Sequence, residues 1–179
     1  MAITIEQVSY AFNLFYRNIH RQDFVKSLKL SAHGERDMLP LLRAFLLGFF
    51  GESLAPEADA NLAGTAPDKG NFDFVIETAA IAFAVRKKSK DKTKSALSYV
   101  APPSDLANLL KHDGLQVLVL FDFTKHPLSA DDIETIATWD IPGRGNDTTA
   151  VLHVLYFCLE STRPIQPAKE PIHKRIHVT

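Results

Sequence analysis

Two carboxylates and a guanidinium alternate with apolar residues in one short stretch of the chain. Asp73 and Glu77 lie in a first apolar segment, residues 70–77, and Arg86 lies in a second, residues 81–88. Carboxylate oxygens are ligands that Mg²⁺ prefers in proteins. A guanidinium stays charged and can bind or stabilise a phosphate. These residue types therefore indicate a site for a metal ion, a phosphate group, or both.

The two segments predict a β-hairpin, because both alternate in character and only a short break at residues 78–80 separates them. Side chains two residues apart share one face of a strand. Asp73 and Glu77 are therefore expected on one face of the first strand, and Ala84 and Arg86 on one face of the second. The opposite face is apolar and should pack on a helix; it consists of Phe72, Phe74, Ile76, Ile81, Phe83 and Val85.

This hairpin resembles that of the restriction-endonuclease-like superfamily, the PD-(D/E)xK nucleases. In that family the first strand supplies an Asp, and the second supplies Glu-x-Lys so that both side chains reach one metal ion. Asp73 matches the Asp, Ala84 falls where the acid would be, and Arg86 falls where the Lys would be. The resemblance covers the hairpin as a motif and residues 35–160 as an order of elements. It implies an α/β nuclease fold and a Mg²⁺-dependent phosphodiesterase site.

Both departures from the family pattern weaken the implied site. A missing carboxylate removes a hard oxygen ligand for Mg²⁺, and arginine cannot give up a proton as lysine can. Glu77, expected on the face of Asp73, would be a second metal ligand. Glu35, near the start of a preceding helix, matches the acid that the family's first core helix often points at the metal, although such an acid can simply favour the helix dipole. The predicted catalytic set is thus Asp73, Glu77, Arg86 and Glu35, with Asp73 and Glu77 as metal ligands.

A cationic run follows the second strand and is opposed only by Asp91. Beside a phosphodiesterase site, such a run can contact the phosphate backbone of DNA or RNA. It can equally be a solvated loop whose lysines discourage pairing of strand edges. No aromatic residue interleaves with the run, so a platform for stacking single-stranded bases is not expected. The predicted nucleic-acid contacts are Lys87, Lys88, Lys90, Lys92 and Lys94.

The composition of the chain limits which kinds of protein and which kinds of binding partner are compatible with it. A chain of 179 residues with 46% hydrophobic residues can form one domain with a sizeable core. The formal net charge of −1 means that any contact with nucleic acid must come from a local patch. The single cysteine, Cys158, excludes a disulfide framework and a thiolate zinc site within one chain. With no signal-like N-terminus and no apolar run that could span a bilayer, we expect a cytoplasmic protein without a membrane partner.

Periodicity predicts the elements that position these residues. The run at residues 115–123 is nearly continuously apolar, as in a strand buried on both faces of a parallel sheet. Strands that alternate with helices favour an α/β fold with a mixed β-sheet flanked by helices, which the resemblance specifies as a restriction-endonuclease-like core. Helices are expected at residues 4–17, 21–30, 33–50, 104–111 and from 129 onward, and a further strand at 150–159.

Domain organisation follows from the same pattern. One α/β domain is expected over residues 1–163, made of an N-terminal helical extension, 1–30, and an endonuclease-like core, 31–160. Residues 164–179 are rich in proline and lysine and are expected to be a tail with little reason to pack.

The sequence is compatible with three functions and does not distinguish between them. The leading one is a nucleic-acid-associated protein with a degenerate phosphodiesterase site that is inactive or weakly active. The second is an active Mg²⁺-dependent endonuclease in which a displaced acid restores the metal site. The third is a catalytically silent protein–protein interaction module, for example a homodimer, which the near-neutral charge favours.

Overall fold

The polypeptide is described by a computed structural model over residues 2–21, 33–56, 72–89, 96–142, 150–159, 167 and 170–178. Its α-helices are α1 (Ile5–Ile19), α2 (Glu35–Phe50), α3 (Leu97–Val100), α4 (Pro103–Leu109) and α5 (Ala130–Glu134). Its strands are β1 (Leu54–Pro56), β2 (Phe74–Ile76), β3 (Ala79–Arg86), β4 (Leu115–Asp122), β5 (Ala150–Phe157) and β6 (Ile172–Val178). Within these residues, no helix combines the length and the apolar character needed to cross a bilayer.

The six strands of the described residues form one mixed sheet, in which they lie in the same order as in the chain. The strands β1, β2 and β3 pair antiparallel to one another. The strands β3, β4 and β5 pair in parallel, and β6 returns antiparallel to β5. The prediction of an α/β fold with a mixed sheet flanked by helices is therefore confirmed.

Helices cover both faces of the sheet, so β3, β4 and β5 are largely buried. Helices α1 and α2 pack on one face, where Phe121 of β4 contacts aromatic rings of Phe12, Phe15 and Tyr16. Helices α3, α4 and α5 pack on the other face. The expectation that residues 115–123 form a strand buried on both faces is confirmed, with β4 spanning Leu115–Asp122. Because α1 belongs to this core, it is more than an appended helix.

The predicted hairpin is present, but its turn lies earlier than expected. The strands β2 and β3 pair antiparallel, with Ile76 opposite Ala79, so the turn is made by Glu77 and Thr78. Glu77 has a positive φ of 51°, and its side chain is exposed. The expectation that Glu77 shares a strand face with Asp73 is therefore wrong. Phe72 also departs from the predicted alternation, since β2 begins only at Phe74, and it packs on the face of α3 and α4.

The C-terminal segment is a strand rather than an unpacked tail. Residues Ile172–Val178 form β6, and Ile176 and Val178 are buried beneath α5 and the residues that follow it. The prediction of an unpacked tail is wrong for these residues. The apolar side chains of Ile172, Ile176 and Val178 are two or four residues apart, so they share one face, and this suffices for an edge strand with one buried face. Of the predicted helix at 21–30, residues 22–30 lie outside the described residues.

Candidate functional site

A cavity of about 230 Å³ lies between the hairpin, the start of α2 and helix α4. We call it the carboxylate cavity, because its polar wall consists of Glu35, Asp73, Asp105 and Asn108. Its remaining wall is apolar and comes mainly from β3, β4 and the helices above them; it includes Phe72, Ala82, Phe83, Ala84, Leu106 and Leu118. Two of the acids predicted from the sequence, Glu35 and Asp73, thus meet at one site.

Asp73 is held at the mouth of the hairpin by the backbone of β3. Its Oδ2 atom accepts a hydrogen bond of 2.7 Å from the backbone N–H of Phe83. The last paired residues are Phe74 and Ile81, so Asp73 lies level with Ala82. The side chains of Ala82 and Ala84 belong to the same face and line the cavity beside it. The strand therefore presents two small apolar side chains to Asp73.

Two helices bring the other acids to the cavity. Glu35 is the first residue of α2, whose N-cap, Gly34, donates its backbone N–H to the carboxylate of Asp37. Asp105 and Asn108 are three residues apart on α4, so they share one face of that helix. The sequence interpretation missed both residues as site residues. The signal available was this polar pair at helical spacing, immediately before the apolar strand β4.

Glu35 is partly buried beside other carboxylates, and both conditions disfavour its charged form. Burial raises the pKa of Glu35 to about 7, and the negative charges of Asp73 and Asp105 add to the effect, while Arg36 opposes it. None of the described residues that line the cavity is cationic. A carboxyl group that titrates near neutrality can both accept and donate a proton, which is a property common at functional sites.

We expect Glu35→Gln to change how stability depends on pH. The pKa of Glu35 is higher in the folded protein than in the unfolded chain, so its protonated form favours folding. That contribution is complete below about pH 4.5 and is lost as the pH rises through about 7. The amide does not ionise, so the variant should be more stable than the wild type by about 1–2 kcal/mol at pH 8, after allowance for solvent screening.

Urea denaturation at pH 4.5 and pH 8 would measure this difference, with Glu77→Gln in the exposed turn as the matched control. The two proteins should differ little at the lower pH. Equal stability of Glu35→Gln and the wild type at the higher pH would contradict the burial of a charged Glu35 among other carboxylates.

Arg86 belongs to a different, buried network at the carboxyl ends of β3 and β4. Its Nη1 atom donates to Oδ2 of Asp122 at 2.6 Å, to Oγ1 of Thr124 at 2.9 Å and to the carbonyl oxygen of His126 at 2.7 Å. The hydroxyl of Tyr156 also donates to Oδ2 of Asp122. Asp122 is completely buried, and only 11% of the Arg86 side chain is exposed. The guanidinium thus neutralises a buried carboxylate, and Arg86 does not line the carboxylate cavity.

Glu77 is also absent from the cavity lining. It lies in the turn at the opposite end of β2 from Asp73, roughly 13 Å away along the strand direction at about 3.3 Å per residue. The structure therefore does not bring together the predicted pair of metal ligands, Asp73 and Glu77. In the parts of the chain that the structure describes, no three His, Cys, Asp or Glu side chains are grouped so that they could hold a metal ion.

The predicted basic run begins beside the cavity. A Cβ atom added to Gly34 would lie 3.0 Å from Nζ of Lys87, so this ammonium group reaches the residue that precedes Glu35. Lys87 also contributes to the lowered pKa of Asp37, after the hydrogen bond from Gly34 and the influence of His33. Lys88 is exposed. Lys90, Lys92 and Lys94 lie outside the described residues.

Comparison of the chain with protein-family models, with curated proteins and with solved structures found no match. The function is therefore argued from the geometry and chemistry of the site alone.

Proposed function

We propose that this protein is a nucleic-acid-associated member of the restriction-endonuclease-like superfamily whose phosphodiesterase site has degenerated. The observation that carries the proposal is the carboxylate cavity. It joins Asp73 and Glu35, the acids that the resemblance associates with the metal, to a face of β3 that carries only alanines at Ala82 and Ala84.

The order of elements supports the same assignment. After α2 the chain forms the short strand β1, the hairpin β2–β3, then helices, then β4, then a helix, then β5. Apart from β1, this is the order that the resemblance implies for residues 35–160. The hairpin strand β3 also pairs in parallel with β4, whose Leu118 lines the cavity.

The pairing of the two hairpin strands shifts the alignment of β3 with the family's Glu-x-Lys motif by two residues. Because Asp73 lies level with Ala82, the positions that face it are Ala82 and Ala84 rather than Ala84 and Arg86. The family's acid would then stand at residue 82 and its lysine at residue 84. Both functional groups are missing, whereas the sequence interpretation retained a cation at Arg86. A weak or absent cleavage activity follows, since the metal would lose a ligand and the attacking water its nearby lysine.

The cations at the rim of the cavity supply the expected contact with nucleic acid. Lys87 lies beside the start of α2, Lys88 is exposed next to it, and Arg36 is exposed on the first turn of that helix. Their positions suit a phosphate backbone that passes over the cavity, because these cations would offset the repulsion between the phosphates and the carboxylates of the wall.

We expect the purified protein to bind a fluorescent DNA duplex or RNA strand with an affinity that falls steeply with salt. The Lys87→Ala/Lys88→Ala variant should bind more weakly, and the slope of log K against log salt should become shallower by roughly 2, one for each lost phosphate contact. Fluorescence anisotropy across a salt series would measure both. The matched control, Lys111→Ala/Lys125→Ala, removes two cations outside this rim and should retain the slope. Absence of binding at low salt would overturn the proposal.

One observation favours the active form of the enzyme as a second candidate. Asp105 supplies a third carboxylate to the cavity. Because the three acids are not grouped around one point in the described residues, Asp105 would have to move toward Asp73 and Glu35 to hold Mg²⁺ with them. Cleavage of nucleic acid by the wild-type protein with Mg²⁺ or Mn²⁺, abolished by Asp73→Ala and by Asp105→Asn, would establish this alternative. Lack of cleavage in the presence of salt-sensitive binding would support the degenerate site.

A third candidate, a protein–protein interaction module such as a homodimer, is favoured by exposed apolar residues on α1 and α2. Tyr10 is 63% exposed and contacts the ring of Phe49, which is 41% exposed, and Leu41 and Leu47 are exposed on the same helix as Phe49. Sedimentation of the wild type and of Tyr10→Ser/Phe49→Ser would separate this candidate, because only an interface at these residues would dissociate in the variant.

A further inference from the structure

Two histidines meet on the strands at the opposite edge of the sheet from the hairpin. His153 of β5 pairs with Arg175 of β6, and Leu155 pairs with His173, so the two histidines are diagonal neighbours. Nδ1 of His153 lies 3.0 Å from Nε2 of His173, and the rings are nearly parallel, with an interplanar angle of 23°. The pair lies on the face that carries α1. His153 and Leu155 are two residues apart on β5 and share this face, and Leu155 packs in that core.

Acidic and polar groups of α1 face this pair. Glu6, in the first turn of α1, is close enough that both imidazoles contribute to its lowered pKa, after hydrogen bonds from the backbone and from Thr4. An open volume of about 220 Å³ lies between them and is bounded by Ile5, Glu6, Ser9, Tyr10, Asn13, Glu170 and His173. The site therefore combines two imidazoles, nearby carboxylates and room for a small ligand.

The spacing of the two ring nitrogens suits a shared transition metal. A tetrahedral Zn²⁺ bonded to two imidazole nitrogens at about 2.0–2.1 Å holds those nitrogens about 3.3 Å apart. The observed distance is 3.0 Å, so the rings must turn until both lone pairs converge on the ion instead of sharing a proton. Imidazole ligands suit zinc, nickel and copper, whereas Mg²⁺ prefers oxygen. The chemistry at this edge is thus distinct from that of the carboxylate cavity.

We propose that His153 and His173 bind one divalent transition-metal ion of the zinc class, with Glu6 as the third protein ligand. Glu6 must approach by side-chain rotation, because three ligands are not yet grouped around one point in the described residues. The bound ion ties the first turn of α1 to the strands β5 and β6. It stabilises the packing of the helix on the sheet and needs neither nucleic acid nor cleavage.

Calorimetric titration of the metal-free protein with Zn²⁺ near neutral pH tests the site. One equivalent should bind, and His153→Ala and His173→Ala should each weaken the affinity at least tenfold. His126→Ala, which removes an exposed imidazole elsewhere, is the matched control and should leave the affinity unchanged. Co²⁺ in place of Zn²⁺ should give the visible absorption of a tetrahedral site, and excess Mg²⁺ should not displace it.

Two further measurements separate a metal site from a hydrogen-bonded histidine pair. Saturating Zn²⁺ should raise the melting temperature of the wild type, and this rise should vanish in both histidine variants. Glu6→Gln should weaken binding several-fold if the carboxylate is a ligand. Absence of stoichiometric binding, or an affinity that survives both His153→Ala and His173→Ala, would overturn the proposal.

Discussion

The double substitution Ala82→Glu/Ala84→Lys is expected to create a Mg²⁺-dependent phosphodiesterase. Both alanines line the carboxylate cavity next to Asp73, so the new carboxylate would face Asp73 and the new ammonium would lie two residues further along the same strand face. Two carboxylates can hold Mg²⁺, and a lysine beside them can assist the attacking water. The cavity of about 230 Å³ leaves room for both longer side chains.

The gain should be at least about a hundredfold in the rate of plasmid cleavage over the wild-type background, because single groups in such sites are commonly worth that much. Nicking of supercoiled plasmid in Mg²⁺ and in Mn²⁺ would measure it. Isothermal titration with Mn²⁺ would report metal binding separately from the chemistry.

The matched control is Ala82→Gln/Ala84→Met, which fills similar volume without introducing charge and should stay inactive. Adding Asp73→Ala to the active pair should abolish cleavage, since it removes the remaining strand ligand. A folded double variant, verified by circular dichroism, that neither binds Mn²⁺ nor cuts would contradict the proposed kinship with PD-(D/E)xK nucleases.

The substitution Asp122→Ala should destabilise the protein by about 3–5 kcal/mol. Asp122 is completely buried and accepts hydrogen bonds from Arg86, Tyr156 and the backbone of Thr124. Its removal leaves the guanidinium of Arg86 buried without its counter-charge, and this is costly because the ion cannot recover its hydration. Urea denaturation would measure the change in the free energy of unfolding.

The informative control is the pair replacement Arg86→Met/Asp122→Leu. It removes both charges together, so it should cost less than Asp122→Ala alone, as commonly found when buried ion pairs are exchanged for apolar residues. A double-mutant cycle with Arg86→Met then gives the coupling between the two side chains. A loss below about 1 kcal/mol for Asp122→Ala would mean that Arg86 can reach solvent and remains available for a phosphate.

The sequence predicted correctly those helices and strands that are determined by neighbouring residues. The capping box of Thr4 and Gln7 begins α1, and Ser129 and Asp132 begin α5 in the same way. The nearly continuous apolar run of β4 predicted its burial between two layers of helices, because a central strand buries both faces. In each case a few neighbouring residues carry the whole signal.

The geometry of the site depends on pairings that the local pattern does not contain. The alanines around the hairpin turn fit either strand or turn, so alternation alone misplaced the turn by one or two residues and with it the partners of Asp73. Arg86 has the spacing of a site residue, yet its guanidinium is drawn to Asp122, a buried acid 36 residues later in the chain. Asp105 is likewise brought to the cavity only by the packing of α4 on the sheet.

The serial arrangement of the strands bears on how the protein forms during synthesis. Each strand from β1 to β6 pairs with the one made just before it, so none of the strands that the structure describes must be inserted later between two that are already paired. A chain emerging from the ribosome can therefore extend the sheet one strand at a time from a single growing edge. The ion pair of Arg86 and Asp122 closes as soon as the fourth strand docks, and Tyr156 joins it with the fifth.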